Sequence, residues 1–417
     1  MYSLTQKAEE IIECVACGSS DLELILTLGN QPLANSYKKD RNEEQPHFPL
    51  AINFCKNCNH TQLTHQVDPD LMFKDYLYVS GTANTQLDYF EWFAEYTIES
   101  TRFAHTVLDI GCNDGSQLDA YKKRKMITYG VDPAENLHKL STAKGHKVYC
   151  DYFGEEHAKA GFFYDIILCQ NAFAHQAHQL DTLKNMKKIM HDGSLAFIVI
   201  SQSDMILNNE FDTIYHEHFS FYTISSMNAI CNRAGLYLID AVKHPIHGNS
   251  MIFTITANSR AQRKANITNL INIERLNGLH DISTYRKFAA NAEKVASDLK
   301  SLLLMQNKLG KVVIGLGAPA KGNTLMNYML MGPNFILDEN KLKQSMYTPG
   351  VSIKIEPNDF LKAYDNIDEV CFLPLAWNFF DEMKGKMQKL RPGKNDVFIR
   401  YFPRLEITGG EISYHPV

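Results

Sequence analysis

The stretch IYHEHFSFYT, Ile214 to Thr223, sets a phenol, two imidazoles and a carboxylate side by side at Tyr215, His216, Glu217 and His218, and follows them with Phe219, Phe221 and Tyr222. A solvated loop does not need the aromatic residues, and an ordinary core strand does not carry the charge. Side chains of this kind, gathered out of water, can move protons. Imidazole titrates near neutrality, a carboxylate can orient it, and a phenol can donate a hydrogen bond to a developing negative oxygen. If the segment is extended, His216 faces away from Tyr215 and Glu217.

A second group of reactive side chains lies near the N-terminus. CVACG supplies Cys14 and Cys17, and CKNCNH supplies Cys55 and Cys58. C-x-x-C lets two sulfurs point to one side of a tight turn, and two such knuckles complete a tetrahedral thiolate shell for Zn2+. Residues 18–54 separate the pairs, which exceeds the common ribbon spacing and leaves room for an insertion. Four thiolates leave no open position, so this metal is expected to be structural, with His60 and His65 as bystanders. The other five cysteines, at 112, 150, 169, 231 and 371, are scattered.

Two glycine loops could hold a cofactor. VLDIGCNDGSQL places Asp109, Gly111, Asn113, Asp114 and Gly115 between a strand and a helix. A dinucleotide site wants G-x-G-x-x-G, with helix amides facing a pyrophosphate. Here Asn113 stands at the second glycine, and Asp109 and Asp114 would repel phosphate but suit a ligand carrying an amino group. Asp132, in GVDPAEN after the next strand, can accept from ribose hydroxyls. The later GLGAPAKG fits G-x-G-x-x-A through Gly315, Gly317 and Ala320, with Asp338 beyond. By form it matches a dinucleotide fingerprint better, but Pro319 removes an amide donor and Lys321 adds a cation. A loop that merely packs helix on sheet is the other reading of it.

These groups need a scaffold, and the chain is long enough for one. At 417 residues, 45% hydrophobic and 21% charged, it should fold as two or three globular domains. Three blocks can be drawn: 1–75 with the paired cysteines and few long periodic segments, 76–255, and 256–417. In the second, HTVLDIG, ITYGVDP, YDIILCQNAF and GSLAFIVIS are apolar runs alternating with helical stretches, which implies a parallel sheet covered by helices. The third opens with two helices broken near GLHDIS and continues as a smaller α/β unit through KVVIGLGAPAKG, PNFILDEN and DEVCFLPLAWNFFDEM. A net charge of −5, from 42 basic and 47 acidic residues, disfavours a nucleic-acid surface. No apolar run approaches the ~20 residues that span a bilayer, and MYSLTQKAEEII lacks a signal-peptide pattern, so no membrane partner and a cytoplasmic location are expected.

Taken in order, the four-cysteine block, YLYVSGT, the VLDIGCNDG loop, NAFAH, YHEHFSFYT and GLGAPAKGNTLMN resemble the nucleotide-sugar C-methyltransferase family over essentially the whole chain. The glycine loop by itself resembles the first motif of class I S-adenosyl-L-methionine-dependent methyltransferases. Asp109 stands where many members carry Glu, and HGNSM replaces HGGSL. The resemblance implies an α/β protein: an N-terminal zinc-binding module, a class I Rossmann-like methyltransferase core and a second, smaller Rossmann-like domain. It implies methylation of a nucleotide-linked 4-keto-6-deoxyhexose, most readily at carbon 3, through an enolate.

On that resemblance His218 is the expected base, supported by Glu217 and Tyr215, with His175 of NAFAH as a second imidazole and Tyr76 and Tyr78 lining the site. Asp109, Gly111, Asn113, Asp114, Gly115, Asp132, Asp151, Tyr152, Phe153 and Asn171 are expected around the cofactor. Lys321, Asn323 and His247 are expected around the nucleotide-sugar. The chain is expected to be a monomer or weak homodimer. An NAD-linked nucleotide-sugar oxidoreductase and, further off, a zinc-ribbon binding protein are the alternatives.

Overall fold

The computed structural model describes residues 8–409, apart from 75, 77, 78, 83, 159, 160, 202, 203, 247, 248 and 403. Tyr78 and His247 therefore lie outside the described residues.

Short apolar strands build the middle of the chain, the inner ones buried on both faces as their sequences require. Its seven-stranded sheet runs in the order Tyr237–His244, Ser250–Thr256, Leu195–Ile200, Ile166–Gln170, Thr106–Ile110, Ile127–Val131, Lys147–Tyr149. The last five are mutually parallel, and Ser250–Thr256 runs antiparallel to both neighbours. From Thr106–Ile110 the chain first adds strands on one side and then on the other. Ligands of such sheets bind beyond the carboxyl ends of the strands at that reversal. Here those ends are Asp109–Ile110 and Gln170–Asn171.

The C-terminal sheet has six strands, ordered Ile355–Glu356, Phe335–Leu337, Val313–Leu316, Cys371–Pro374, Val397–Arg400, Glu406–Thr408, with only the last pairing antiparallel. The helices Ala265–Leu276 and Ile282–Lys308 lead into it. They break where Gly278 turns at φ +76° and Asp281 caps the second helix by accepting from Ser283 N at 2.8 Å.

The N-terminal block is more regular than its sequence suggested. Leu22–Gln31 and Phe48–Cys55 are long antiparallel strands, followed by Thr61–Leu63. Its fourth strand comes from far along the chain: Ser220–Phe221 pairs with Thr61–Gln62. One apolar core unites this sheet, through Phe48 and Phe54, with Tyr285, Phe288 and Leu299 of the long helix and Ile336 and Tyr401 of the C-terminal unit. Among the described residues no helix is long and apolar enough to cross a membrane.

Candidate active site and metal centre

The two C-x-x-C turns meet. Cys14 Sγ lies 3.6 Å from Cys58 Sγ and Cys17 Sγ 3.5 Å from Cys55 Sγ, with all four sulfurs within 4.8 Å of one another. A tetrahedron of ~2.3 Å zinc–sulfur bonds has edges of ~3.8 Å, so the four sulfurs fit Zn2+. His60 turns away: its Nε2 lies 3.1 Å from Ser220 Oγ. His65 bonds Thr64 Oγ1 and is outside the sulfur group as well.

A cavity of about 820 Å³ opens at the reversal point of the central sheet. Part of its lining is rich in acceptors. Asp109 is buried at 3% exposure, and its Oδ1 has no partner among the described residues. Gln170 Oε1 and Asn171 Oδ1, at the end of the adjacent strand, are likewise buried without donors, and all three residues line the cavity. Burial, with Asp132 nearby, pushes the Asp109 carboxyl up to about 8. Such a cluster wants a cation with several N–H groups, which an amino-acid ammonium provides. Gly111 turns at φ +78°, and a Cβ there would meet Ala172 Cβ at 2.6 Å, so the loop backbone lies close against the next strand's end. The acceptors and the cradle fit S-adenosyl-L-methionine.

Asp132 lines the same cavity but already holds the loop: its Oδ2 accepts from Asn113 N at 2.8 Å and its Oδ1 from Ala134 N at 2.9 Å. Asn113, Asp151, Tyr152 and Phe153 line it too. Asp114 and Gly115 do not, which corrects the expectation for both. Asp114 spends its carboxylate on Ser116 Oγ (2.7 Å) and Lys144 Nζ (3.2 Å). Gly115, at φ +76°, packs so closely that a Cβ would meet His146 Cδ2 at 2.9 Å. Both shape the loop from behind.

The same cavity is also lined by Tyr76, His175, Tyr215, His218 and Lys321. Residues 215–218 form a turn rather than an extended run, closed by His218 N donating to Tyr215 O at 2.9 Å. Tyr215 and His218 rings thereby sit 3.9 Å apart, and His175 lies 5.0 Å from His218. His218 Nδ1 is 2.7 Å from Thr213 O. A carbonyl only accepts, so Nδ1 carries the hydrogen and Nε2 holds the basic lone pair. Burial, then the neighbouring His175, keeps His218 well below the usual imidazole range, and burial lowers His175 to about 4. Both rings are neutral at pH 7 and able to take a proton.

Glu217 is buried behind the cavity. Its Oε1 accepts from Asn35 Nδ2 at 2.6 Å and its Oε2 from Tyr76 Oη at 3.3 Å. Burial pushes it up to about 7 against the pull of those two donors. His216 packs edge-on to Phe48, with Nε2 3.3 Å from Phe48 O, and takes no part in the cavity.

The C-terminal glycine loop is spent on the protein itself. Gly317 N donates to Leu337 O at 2.8 Å and Ala318 N to Asp338 Oδ2 at 2.7 Å, while Ala318 O accepts from Tyr37 Oη and Lys343 Nζ. Gly111 N and Asn113 N of the central loop are held the same way, by Val131 O and Asp132 Oδ2, so the Gly317 and Ala318 amides brace the turn and do not decide its ligand. Asn323 is fully buried and donates to Ala34 O at 2.8 Å, so it ties the helix Ala320–Met329 to the N-terminal block instead of facing the cavity. Lys321 does face it, with Nζ 4.7 Å from the Trp377 ring centroid.

Asn35, Gln170 and Thr213 belong to the site without having been expected there. Gln170 had a signal, because a polar pair Gln170–Asn171 ends an otherwise apolar strand. Asn35 had none, being 182 positions from its partner.

Three family models match in succession along the chain. Residues 14–73 match the family described as "Putative zinc binding domain", 78–241 a methyltransferase domain, and 245–403 the C-methyltransferase C-terminal domain. C-methyltransferase NovU of Streptomyces niveus is 28% identical over 386 residues, 89% of this chain and 91% of NovU. Among solved structures, an S-adenosylmethionine-dependent methyltransferase from Clostridium acetobutylicum is 12% identical with a TM-score of 0.33, covering 42% of this chain and 92% of its own. Magnesium protoporphyrin IX methyltransferase from Synechocystis with bound SAM is also 12% identical with a TM-score of 0.33, over 43% and 86%.

Proposed function

From a chain assembled out of the three domains of an S-adenosyl-L-methionine-dependent C-methyltransferase, with a structural zinc centre, we propose that the acceptor is a nucleotide-linked 4-keto-6-deoxyhexose, methylated at carbon 3. The observation that carries this reading is one cavity lined by two chemistries: donor-hungry oxygens and neutral, buried imidazoles. A carbon next to a ketone must lose a proton before it can accept an electrophilic methyl group. His218 Nε2 takes that proton, with His175 beside it. Tyr215 supplies a hydroxyl for the enolate oxygen, and Glu217, which accepts a hydrogen bond from the Tyr76 hydroxyl, holds that ring against the site. When bound, S-adenosyl-L-methionine supplies the methyl group, and what the chain adds is alignment. Lys321 offers a cation to the nucleotide's phosphates at the cavity's C-terminal wall.

The test combines a panel of nucleotide-linked keto-sugars, each incubated with labelled methyl donor, and deuterium exchange in heavy water with a non-reactive donor analogue. Label at carbon 3 of a 4-keto-6-deoxyhexose, and exchange at that carbon, are expected. His218→Ala should slow both by roughly 10²–10⁴-fold. His175→Ala is the control: wild-type exchange in His218→Ala with loss in His175→Ala exchanges the roles of the two. Normal turnover in both variants, or label on none of the panel, refutes the reading.

A further inference from the structure

Gln179 lies outside the cavity, at the start of the helix Gln179–Lys188, with 2% exposure. Its Oε1 accepts from Ser220 Oγ at 2.8 Å and from Tyr222 Oη at 2.5 Å, while its Nε2 reaches Ala174 O at 3.4 Å. Ser220 follows His218 by two positions, and Ala174 immediately precedes His175. One amide therefore spans both segments that carry the imidazoles. Phe219 N donates to the same Ala174 O at 2.9 Å, closing the link from the other side.

A primary amide suits this place, since it offers an oxygen with two lone pairs and an N–H donor in one rigid plane. Here both lone pairs meet hydroxyls and the donor meets a carbonyl. The line of contacts continues beyond Ser220. Its proton is committed to Gln179, so His60 Nε2, 3.1 Å away, is the donor to Ser220 Oγ. His60 O in turn accepts from Cys55 N at 2.8 Å, so the metal knuckle is joined through buried hydrogen bonds to the segments that carry the two imidazoles.

We propose that Gln179 is a positioning residue for proton removal, fixing the separation of His175 and His218 while touching neither substrate nor methyl donor. The inference rests on the C-methyltransferase reading above, with an imidazole as base. A displacement of about 1 Å between reacting groups costs on the order of 10²-fold, which sets the scale of the effect.

Three variants of the full chain test it: Gln179→Leu, Gln179→Glu, and the triple Gln179→Leu/Ser220→Ala/Tyr222→Phe. Solvent deuterium exchange, kcat, sugar KM and donor affinity are measured beside His218→Ala and His175→Ala. Gln179→Leu should lower exchange and kcat by about 10–100-fold with KM and donor affinity unmoved. Gln179→Glu should recover most of the rate, because a buried neutral carboxyl keeps an acceptor oxygen and an O–H for Ala174. The triple removes the hydroxyls stranded by the single change and leaves only His60 Nε2 without its acceptor, so it should melt closer to wild type than Gln179→Leu does and stay slow; should Gln179→Leu not fold, the triple carries the test. A triple with wild-type kcat, a Gln179→Glu as slow as Gln179→Leu, or KM moving in step with kcat overturns the proposal. Loss of exchange in an imidazole variant alongside normal Gln179 variants overturns this inference alone. Normal exchange in both imidazole variants overturns it together with the reading beneath it.

Discussion

Asp109 makes methyl-donor binding depend on pH in a calculable way. In the donor-free protein its carboxyl sits at about 8, pushed there by burial and by Asp132. At pH 7 about one carboxyl in ten is then ionised, and at pH 6 about one in a hundred. A ligand whose ammonium needs the carboxylate binds only that fraction, so its apparent Kd rises about tenfold between pH 7 and 6, ~1.4 kcal/mol. The donor's own amine stays protonated in this window, which keeps the slope attributable to the protein. Calorimetry at pH 6.5 in buffers of different ionisation enthalpy should register close to one proton released per donor bound. Asp109→Asn should bind weakly, with no slope and no release. The folding sign can be checked on the same variant. A carboxyl raised above its unfolded value costs stability as pH climbs from the unfolded value toward the folded one. Donor-free Asp109→Asn should therefore melt higher than wild type at pH 8. A flat affinity between pH 6 and 7 in the wild type, or the same slope in Asp109→Asn, would refute the placement of the ammonium.

Cys55→Ser combined with Cys58→Ser should lose about one zinc per chain by elemental analysis and disturb the N-terminal sheet; full retention removes the four-thiolate assignment. Asp132→Ala should weaken donor binding by at least ~2–4 kcal/mol, since it deletes hydroxyl acceptors and also releases Asn113 N and Ala134 N, with zinc content unchanged. Unaltered donor affinity by calorimetry would mean the cofactor lies elsewhere. Asn35→Ala removes a donor that opposes the upward push of burial on Glu217, so that carboxyl should move above about 7. If ionised Glu217 is needed, the acidic limb of the pH–rate profile moves to higher pH, and an unmoved limb excludes that need.

Periodicity and glycine spacing made the central sheet legible, because a strand buried on both faces must be apolar throughout and must end where the loop turns. The acidic loop, the sulfur pairs and the imidazole cluster were legible for a related reason: their chemistry is carried by neighbours in sequence. The local shape of YHEH was not. Alternation suits an extended run, but His218 N closes a turn onto Tyr215 O and Nδ1 reaches back to Thr213 O, contacts that hydropathy does not encode. Asn323 was misplaced for a related reason. A polar residue next to a glycine loop reads as a ligand, whereas its partner, Ala34 O, is 289 positions away. Asp114 likewise reads as part of the cofactor site until Ser116 and Lys144 are seen to claim its oxygens.

The two-residue strand Ser220–Phe221 has a consequence for engineering. By completing the cysteine-bearing sheet from the middle of the chain, it makes that sheet and the imidazole turn one object with two sequence addresses. An excised N-terminal fragment would expose the Thr61–Leu63 edge and lose its outer strand. A chimera that exchanges the N-terminal block 1–75 with a relative's would bring a foreign edge against the native turn. Grafts that carry the segment around Ser220 along with the N-terminal block should keep their activity better than those that respect the linear boundary.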